Sequence, residues 1–251
     1  MASDAVTAST TGARLALTIL PTLNEAKNLP LLVPRILEHD GFKVLVVDDR
    51  STDGTGNVAE ELATHYPGRV EVLHRTGNRG LGLSYAEAFP LAAARDVDVI
   101  VQMDADLSHD PRHLPAMVAA TTDYDVVIGS RYTAGASLID FPSYRATLSR
   151  GANAYVRLIT GLRANDCTSG YRCWRRSAVQ QIQWERVGAE GFAFLVESLC
   201  EAAQASCRIG EVPVRFVGRQ HGASKLTGRV FRESLIVPWR VLTRFRRHPP
   251  R

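Results

Sequence analysis

Two carboxylates, Asp104 and Asp106, stand one residue apart directly after the apolar run "VDVIV". At the end of a buried strand the two charges repel each other unless a cation lies between them. Oxygen ligands with no His or Cys cluster nearby suit a hard divalent cation such as Mg²⁺ or Mn²⁺. An ordinary turn before a helix that starts at Pro111 explains Asp110, but it explains Asp104 poorly. We therefore expect a divalent cation at Asp104 and Asp106 that bridges to phosphates.

A second group of carboxylates occurs in "DDRSTDGT", residues 48 to 55, again after an apolar run. One of the polar residues up to Asp53 is expected to cap the following helix. A cap needs a single such residue, and this segment has more acids and hydroxyls than that. Carboxylates at strand ends can accept hydrogen bonds from a ribose or a nucleobase. The carboxylates that close this strand, Asp48 and Asp49, are therefore candidates for such a hydrogen bond.

The glycine-rich segment "GNRGLG", residues 77 to 82, superficially resembles a phosphate-binding loop. It follows the third strand rather than the first, lacks the full GxGxxG spacing and has no GK[ST] ending. A nicotinamide-dependent oxidoreductase, which the fold alone would allow, is disfavoured by the missing fingerprint after the first strand. We expect this loop to pack closely against a ligand.

Short apolar runs alternate with longer amphipathic segments through the first half of the chain. This pattern predicts repeated strands and crossover helices, and hence an α/β fold with a mostly parallel sheet flanked by helices. Runs such as "KVLVV" lack polar alternation, as is typical of strands buried on both sides. Because ligands bind beyond the carboxyl ends of such strands, four polar motifs should line one edge of the sheet. The motifs are "PTLNE" (21 to 25), "DDRSTDGT" (48 to 55), "GNRGLG" (77 to 82) and "DADLSHDP" (104 to 111).

The second half of the chain is less regular. "TAGASLIDFPS", residues 133 to 143, is expected to be a mobile connection beside the active site. A helix from about Ser143 to Thr160 should follow it, and "RIGEVPVRFV", residues 208 to 217, should form a strand.

The composition limits the function classes. With 251 residues, 45% of them hydrophobic, the chain is long enough for one large domain. A net charge of +4 without a nucleic-acid signature does not indicate a nucleic-acid partner. The four cysteines form no CxxC pair and are expected to be reduced thiols. No apolar run approaches the roughly 20 residues that span a bilayer, so we expect a soluble chain or one that lies on a membrane surface.

The C-terminal segment, residues 227 to 251, is basic and amphipathic. Phe231, Leu235, Trp239 and Leu242 recur at helical spacing, with Pro238 as an expected kink. Such a helix suits anionic headgroups and a lipid substrate. Packing on the domain's own core uses the same apolar stripe and is an equal alternative.

Taken together, six motifs resemble those of family 2 glycosyltransferases, and in particular dolichol- or polyprenyl-phosphate mannosyltransferases. The resemblance runs from about Leu15 to Leu226. It implies a nucleotide-diphospho-sugar transferase (GT-A, Rossmann-like) fold with a catalytic domain at 14–226. Residues 1–13 are small and polar and are expected to form a flexible tail. The motifs occur in the expected order: "PTLNE", "DDRSTDGT", "MDADLSHDP", "GSRY", "TSGYRCW" and "RQHGASK".

The resemblance also assigns roles to individual residues. The nucleotide-sugar would be held by Pro21, Glu25, Asp49, Asp53, Asp104 and Ala105. Asp104 and Asp106 would bind Mg²⁺ or Mn²⁺, and Ser108 stands where some members carry Gln. The acceptor phosphate would be bound by Arg131, Arg145, Arg150, Arg219 and Lys225, and the catalytic set would be Asp106, Arg131 and Arg219.

The implied reaction transfers mannose from GDP-mannose to a polyprenyl phosphate and inverts the anomeric centre. A phosphate monoester is largely dianionic at neutral pH, so its oxygen can attack without a general base. His109 and His221 are accordingly expected to be structural or to donate beside a phosphate. The enzyme would work at the cytosolic face of a membrane, bound peripherally or recruited by a separate membrane protein. The alternatives are a glucosyltransferase that uses UDP-glucose and a noncatalytic subunit that binds nucleotide-sugar or lipid.

Overall fold

Seven strands form the central sheet of the computed structural model, which describes residues 14–189, 191, 193–218 and 228–247. Six strands are parallel and one, β7, runs antiparallel to both of its neighbours. The predicted α/β fold with a mostly parallel sheet is therefore confirmed. Across the sheet the order is β3 (Val70–His74), β2 (Phe42–Asp48), β1 (Ala16–Thr22), β4 (Val99–Gln102), β7 (Arg172–Arg175), β5 (Val126–Ser130) and β8 (Ile209–Pro213).

Helices cover both faces of this sheet. One face carries α1 (Leu29–Leu37), α2 (Thr55–His65) and α4 (Leu114–Ala120). The other carries α3 (Leu81–Ala93), α5 (Ser143–Thr160), α6 (Arg176–Gln181), α7 (Ala193–Gln204) and α8 (Gly228–Arg247). Each layer buries its own apolar cluster against the strands, so β4 is buried along its whole length. This two-sided burial explains why the strand sequences show no polar alternation.

Three short strands differ from the sequence-based expectation. The segment predicted as a single strand at 208 to 217 divides at Val214 into β8, in the main sheet, and β9 (Arg215–Val217). β9 pairs with β6 (Ser137–Ile139), which lies inside the segment predicted to be a mobile connection. β7 was not predicted either. These strands have three or four residues, too few to show a periodic pattern.

The C-terminal helix α8 packs on α5 and α7. Val237 and Val241 on its inner side are fully buried, and Arg244 forms ion pairs with Glu197 and Glu201 of α7. The helix continues through Pro238. Of the two interpretations of this segment, the structure shows the packing on the domain.

The outer side of α8 is nevertheless apolar. Leu235, Ile236 and Trp239 are 43 to 54% exposed. No helix in the described part of the chain is long and apolar enough to cross a membrane. The predicted tail at 1–13 lies outside the described residues.

Candidate functional site

The candidate site lies at the carboxyl ends of the parallel strands β1, β2 and β4. Each of these strands leads into a loop with a non-glycine residue at positive φ: Asn24 (61°), Arg50 (62°) and Leu107 (65°). This left-handed conformation is unfavourable for L-residues, and for leucine in particular. Strained backbone of this kind clusters at functional sites. The sheet order reverses between β1 and β4, which is where open α/β sheets form their binding crevice.

The loop after β4 holds the two aspartates in fixed positions. Asp106 is 5% exposed, and its Oδ1 accepts hydrogen bonds from the backbone N–H of Ser108 at 3.1 Å and from the Ser108 hydroxyl at 2.6 Å. The backbone N–H of Asp104 donates to Nδ1 of His109 at 3.1 Å. Ala105 between them is buried. Ser108 thus fixes a carboxylate, which is a role that sequence alone did not assign to it.

His109 is a structural residue of this loop. Its ring is buried and stacks on Tyr171 at 4.8 Å between ring centroids. Burial lowers the pKa of His109, although the nearby carboxylates of Asp104 and Asp106 oppose the shift. Because Nδ1 accepts a hydrogen bond, the neutral ring carries its proton on Nε2. The expectation that His109 is structural agrees with this geometry, whereas His221 lies outside the described residues.

Gly170 leaves room directly beside the Asp104 carboxylate. A Cβ atom at this position would lie 3.4 and 3.5 Å from the two carboxylate oxygens of Asp104. The described residues contain no group of three or more His, Cys, Asp or Glu side chains that could hold a metal. Mg²⁺ and its relatives are commonly held by one or two carboxylates together with substrate phosphates and water. Asp104 and Asp106 fit such a cation if the phosphates complete its coordination.

The loops after β1 and β2 are hydrogen-bonded to each other. Asp53 accepts the backbone N–H groups of Ala26 and Thr55, at 3.2 and 3.0 Å. Partial burial raises the pKa of Asp53, but these hydrogen bonds and that of the Thr55 hydroxyl outweigh it and lower the pKa. The carboxylate of Glu25 accepts from Asn28 at 2.6 Å. Pro21 is half-buried in β1. Pro21, Glu25 and Asp53 are therefore brought to one edge of the site.

Asp49 has a structural partner that sequence reasoning missed. Its carboxylate binds the guanidinium of the buried Arg75 and accepts the backbone N–H of Gly80 at 2.8 Å. These contacts anchor the 77–82 loop to the end of β2. Arg75 in "LHRTGNRG" is visible in the sequence as a possible partner for a carboxylate. Its pairing with Asp49 spans 26 positions, however, and leaves no local pattern.

At Gly82, the last residue of the glycine-rich segment, the backbone approaches another part of the protein closely. A Cβ atom on Gly82 would lie 2.0 Å from the carbonyl oxygen of Ala189 and 2.9 Å from Cβ of Phe194. Helix α3 therefore packs backbone to backbone against the segment that precedes α7. The expected contact of the loop itself with a ligand stays a prediction.

Arg131 lies at the end of β5 and is held by the fully buried Asp166. Nε and Nη2 donate to the two carboxylate oxygens, each at 2.7 Å, and Nη2 also donates to the Thr168 hydroxyl at 2.8 Å. Burial lowers the pKa of Arg131, but the Asp166 charge outweighs it and raises the pKa. The guanidinium carbon is 5.4 Å from the ring centroid of Phe216, whose ring also contacts His109 edge-on. Arg131 and the loop of Asp104 thus share one wall of the site.

The other arginines that were predicted to bind the phosphate have different surroundings. The guanidinium of Arg150 on α5 lies 5.3 Å from the Tyr132 ring, which Arg131 also contacts at 5.4 Å. Arg145 is exposed and donates to the hydroxyl of Tyr144 at 3.1 Å. The structure therefore brings Arg150 and Arg131 together at the Tyr132 ring, whereas Arg145 contacts the Tyr144 ring, at 5.9 Å. The remaining two predicted residues, Arg219 and Lys225, lie outside the described residues.

Comparison with known proteins identifies the family and the fold of this chain. The chain belongs to glycosyl transferase family 2, whose family model matches residues 18–183. In fold it resembles glucosyl-3-phosphoglycerate synthase from Mycobacterium tuberculosis in complex with Mn²⁺, UDP and glucosyl-3-phosphoglycerate, with a TM-score of 0.63 at 20% identity. The alignment covers 92% of this chain and 80% of that one. The predicted glycosyltransferase class and GT-A fold are confirmed.

Two curated relatives are similar over almost the whole chain. The polyprenol monophosphomannose synthase of Mycolicibacterium smegmatis is 39% identical over 237 residues, which cover 92% of this chain and 89% of the relative. The undecaprenyl-phosphate mannosyltransferase of Micrococcus luteus is 40% identical over 221 residues, which cover 88% and 90%. The resemblance to polyprenyl-phosphate mannosyltransferases that the motifs indicated is confirmed.

Proposed function

We propose that this chain transfers mannose from GDP-mannose to a polyprenyl monophosphate, with inversion of the anomeric centre. The observation that carries the proposal is the placement of Asp104 and Asp106, as candidate ligands of a diphosphate-bound cation, on the same wall as Arg131. The names of the two relatives support mannose as the sugar and a polyprenyl phosphate as the acceptor. The nucleotide follows from the family resemblance.

On the donor side, Asp104 and Asp106 would hold Mg²⁺ or Mn²⁺ together with the diphosphate of GDP-mannose. When bound, the cation would offset the charge that develops on the departing diphosphate. Glu25 and Asp53, beside Pro21, would accept hydrogen bonds from the guanosine. Asp49 would contribute mainly by anchoring the 77–82 loop through Gly80.

On the acceptor side, Arg131 and Arg150 would bind the phosphate of the lipid, with Arg145, Arg219 and Lys225 as further cations. A monoester phosphate with its second pKa near 6 already carries the charge needed for attack. The arginines therefore have to orient an oxygen in line with the leaving diphosphate, and positioning supplies much of the catalysis. A neutral, buried His109 agrees with a mechanism that has no histidine base.

The acceptor is a lipid, and one surface of the protein suits a membrane. Tyr144 and Leu148 on α5 are 66 and 62% exposed, and they lie on the helix that carries Arg145 and Arg150. Leu235 and Trp239 of α8 extend this surface, because Tyr155 of α5 donates to the Leu235 carbonyl and accepts from Trp239. Apolar side chains interspersed with arginines favour an interface with anionic lipid. We place this surface on the cytosolic face of the membrane, where a separate anchoring protein could add affinity.

The test is transfer of radiolabel from GDP-mannose into an organic-extractable product, using purified protein, a polyprenyl phosphate and Mg²⁺ or Mn²⁺. We expect metal-dependent mannolipid. Label transfer only from UDP-glucose would keep the mechanism but replace the sugar. Nucleotide binding without transfer from either donor would identify a noncatalytic subunit and refute the proposal.

Two variants assign the site within the same assay. Asp106→Ala should abolish turnover and leave the thermal melt close to that of the wild type. Arg131→Ala should chiefly raise the KM for polyprenyl phosphate. Wild-type rates for either variant would exclude the role given to that residue.

A further inference from the structure

We infer that Asp166 is a positioning residue for acceptor transfer, acting by presenting the unused edge of the Arg131 guanidinium to the acceptor phosphate. This inference rests on the proposed function. It concerns a buried acid to which the sequence motifs gave no role. Its basis is the arrangement of the hydrogen bonds that the Arg131 guanidinium donates.

Asp166 accepts hydrogen bonds from one edge of the Arg131 guanidinium, formed by Nε and Nη2, but none from Nη1. Its Oδ2 accepts from Nε at 2.7 Å and from the Arg131 backbone N–H at 3.0 Å, and its Oδ1 accepts from Nη2 at 2.7 Å. The second Nη2 hydrogen is directed to the Thr168 hydroxyl. Arginine has five N–H donors, so the two on Nη1 remain. Within the described part of the chain, Nη1 makes no hydrogen bond, and it is the edge on which a phosphate could bind.

Asp166 is itself rigidly held. It is completely buried, and its backbone N–H donates to the Glu211 carboxylate at 3.0 Å. Its pKa is lowered by Arg131 and Thr168, although burial acts in the opposite direction, so it remains charged at neutral pH. A fixed, charged and bidentate partner determines the orientation of a guanidinium more strictly than a single hydrogen bond does.

The same network reaches the helix that carries Arg150. Asn153, one turn further along α5 and 1% exposed, donates to the Thr168 hydroxyl at 3.1 Å and accepts the Thr168 backbone N–H at 3.2 Å. Its amide nitrogen also lies 3.4 Å from Asp166 Oδ1. Asp166 and Thr168 therefore fix the spacing between the two arginines that would share the acceptor phosphate.

Positioning and simple charge predict opposite results when Asp166 is neutralised. The Asp166→Asn variant removes a negative charge from beside Arg131. If Arg131 acted only through its charge, this variant would attract a dianionic phosphate more strongly and lower the KM for the acceptor. If Asp166 orients Arg131, the variant misplaces the guanidinium, and a displacement of about 1 Å can cost on the order of 10²-fold in rate.

The experiment compares Asp166→Asn, Arg131→Ala and the double variant in the mannolipid assay. We expect Asp166→Asn to lower kcat/KM for polyprenyl phosphate by roughly 10- to 100-fold, with the KM for GDP-mannose within about twofold of the wild-type value. Because Asp166 acts through Arg131, the double variant should be no worse than Arg131→Ala alone. A residue that only stabilised the fold would give additive losses and would change the KM values of both substrates.

Asp125→Asn is the matched control. Asp125 also pairs with arginines, Arg175 and Arg208, and caps a backbone N–H, but it precedes β5 at the opposite end of that strand from Arg131. It should leave acceptor kinetics unchanged. Equal losses in Asp125→Asn and Asp166→Asn, additive losses in the double variant, or tighter acceptor use with unchanged turnover would each overturn the inference.

Two further measurements cover the remaining outcomes. If Asp166→Asn fails to fold, Thr168→Val keeps the Asp166 carboxylate but removes the hydroxyl that contacts Arg131 Nη2, Asn153 and Asp166, and the same comparison with Arg131→Ala decides the matter. If the wild type transfers no mannose, the proposed function fails, and calorimetric binding of a short-chain polyprenyl phosphate still tests Asp166. Binding that weakens about tenfold in Asp166→Asn supports the inference, and unchanged or tighter binding refutes it.

Discussion

Arg244→Ala should release the C-terminal helix from the domain. Arg244 donates to Glu197 and to Glu201, in both cases at 2.9 Å, and also to the Arg186 carbonyl at 2.8 Å. The Glu197 side chain is completely buried, whereas that of Arg244 is 25% exposed. Removal of the arginine would therefore leave a buried carboxylate without its counter-charge.

The structure sets the size of the effect. Removal of one partner from a fully buried ion pair costs about 3–5 kcal/mol. Glu197 keeps hydrogen bonds from the backbone N–H groups of Gly188 and Ala189, at 3.0 and 2.8 Å, and Arg244 is partly hydrated, so the loss should be smaller. We expect about 2–3 kcal/mol in the free energy of unfolding, which for a chain of this size lowers Tm by about 4–12 °C.

The assay is urea and thermal unfolding followed by circular dichroism. Arg240→Ala is the matched control because Arg240 lies on the same helix with its side chain exposed. This control should stay within about 0.5 kcal/mol of the wild type. In the Arg244→Ala background, Glu197→Gln should recover part of the lost stability, since it removes the uncompensated charge. If Arg244→Ala and Arg240→Ala unfold alike, the buried ion pair does not hold α8, and the reasoning is refuted.

Three smaller perturbations test other parts of the structure. Gly82→Ala should lower the free energy of unfolding by about 1–3 kcal/mol in a urea titration, because its Cβ would lie 2.0 Å from the Ala189 carbonyl oxygen; a wild-type midpoint would disprove this close packing. Gly170→Ala should melt like the wild type yet lose roughly tenfold or more in mannolipid formation, because its methyl group would contact the Asp104 carboxylate; full activity would argue against the cation position. Burial lowers the pKa of His113, and its Nε2 accepts a β9 backbone N–H at 2.9 Å. The unfolded state therefore takes up the proton first as pH falls through about 6.5, so stability should decline from pH 7.5 to 5.5 and decline less in His113→Gln; equal slopes in urea unfolding would reject the assignment.

Local sequence patterns predicted the strands and helices whose formation depends on residues close to one another in the sequence. β2 and β4 are continuous apolar runs because both faces of the sheet are covered. Helix α5 was predicted from about Ser143 to Thr160 and has those bounds, because Pro142 precedes it and Gly161 ends it in the left-handed conformation. β6 and β9 pair across a long stretch of chain and have three residues each, so no local pattern marks them.

The same distinction applies to the site. Asp104 and Asp106 could be identified because both belong to one loop after one strand. The partners that fix the site could not: Asp49 with Arg75 and Arg131 with Asp166 are joined across 26 and 35 positions. Such pairs form only when the sheet brings distant loops to one edge, and a single sequence carries no record of that contact.

Helix α5 explains how a lipid phosphate could reach a site built at a sheet edge. Its inner side holds Asn153 in the network that fixes Arg131, while its outer side exposes Tyr144 and Leu148. Because one helix carries both features, the arginines proposed to bind the phosphate and the apolar surface keep a constant spacing. An acceptor with a charged head and a long apolar tail needs both at once. The packing of α8 against α5 therefore bears on the proposed function as well as on stability, since it supports the helix that is proposed to contact both ends of the acceptor.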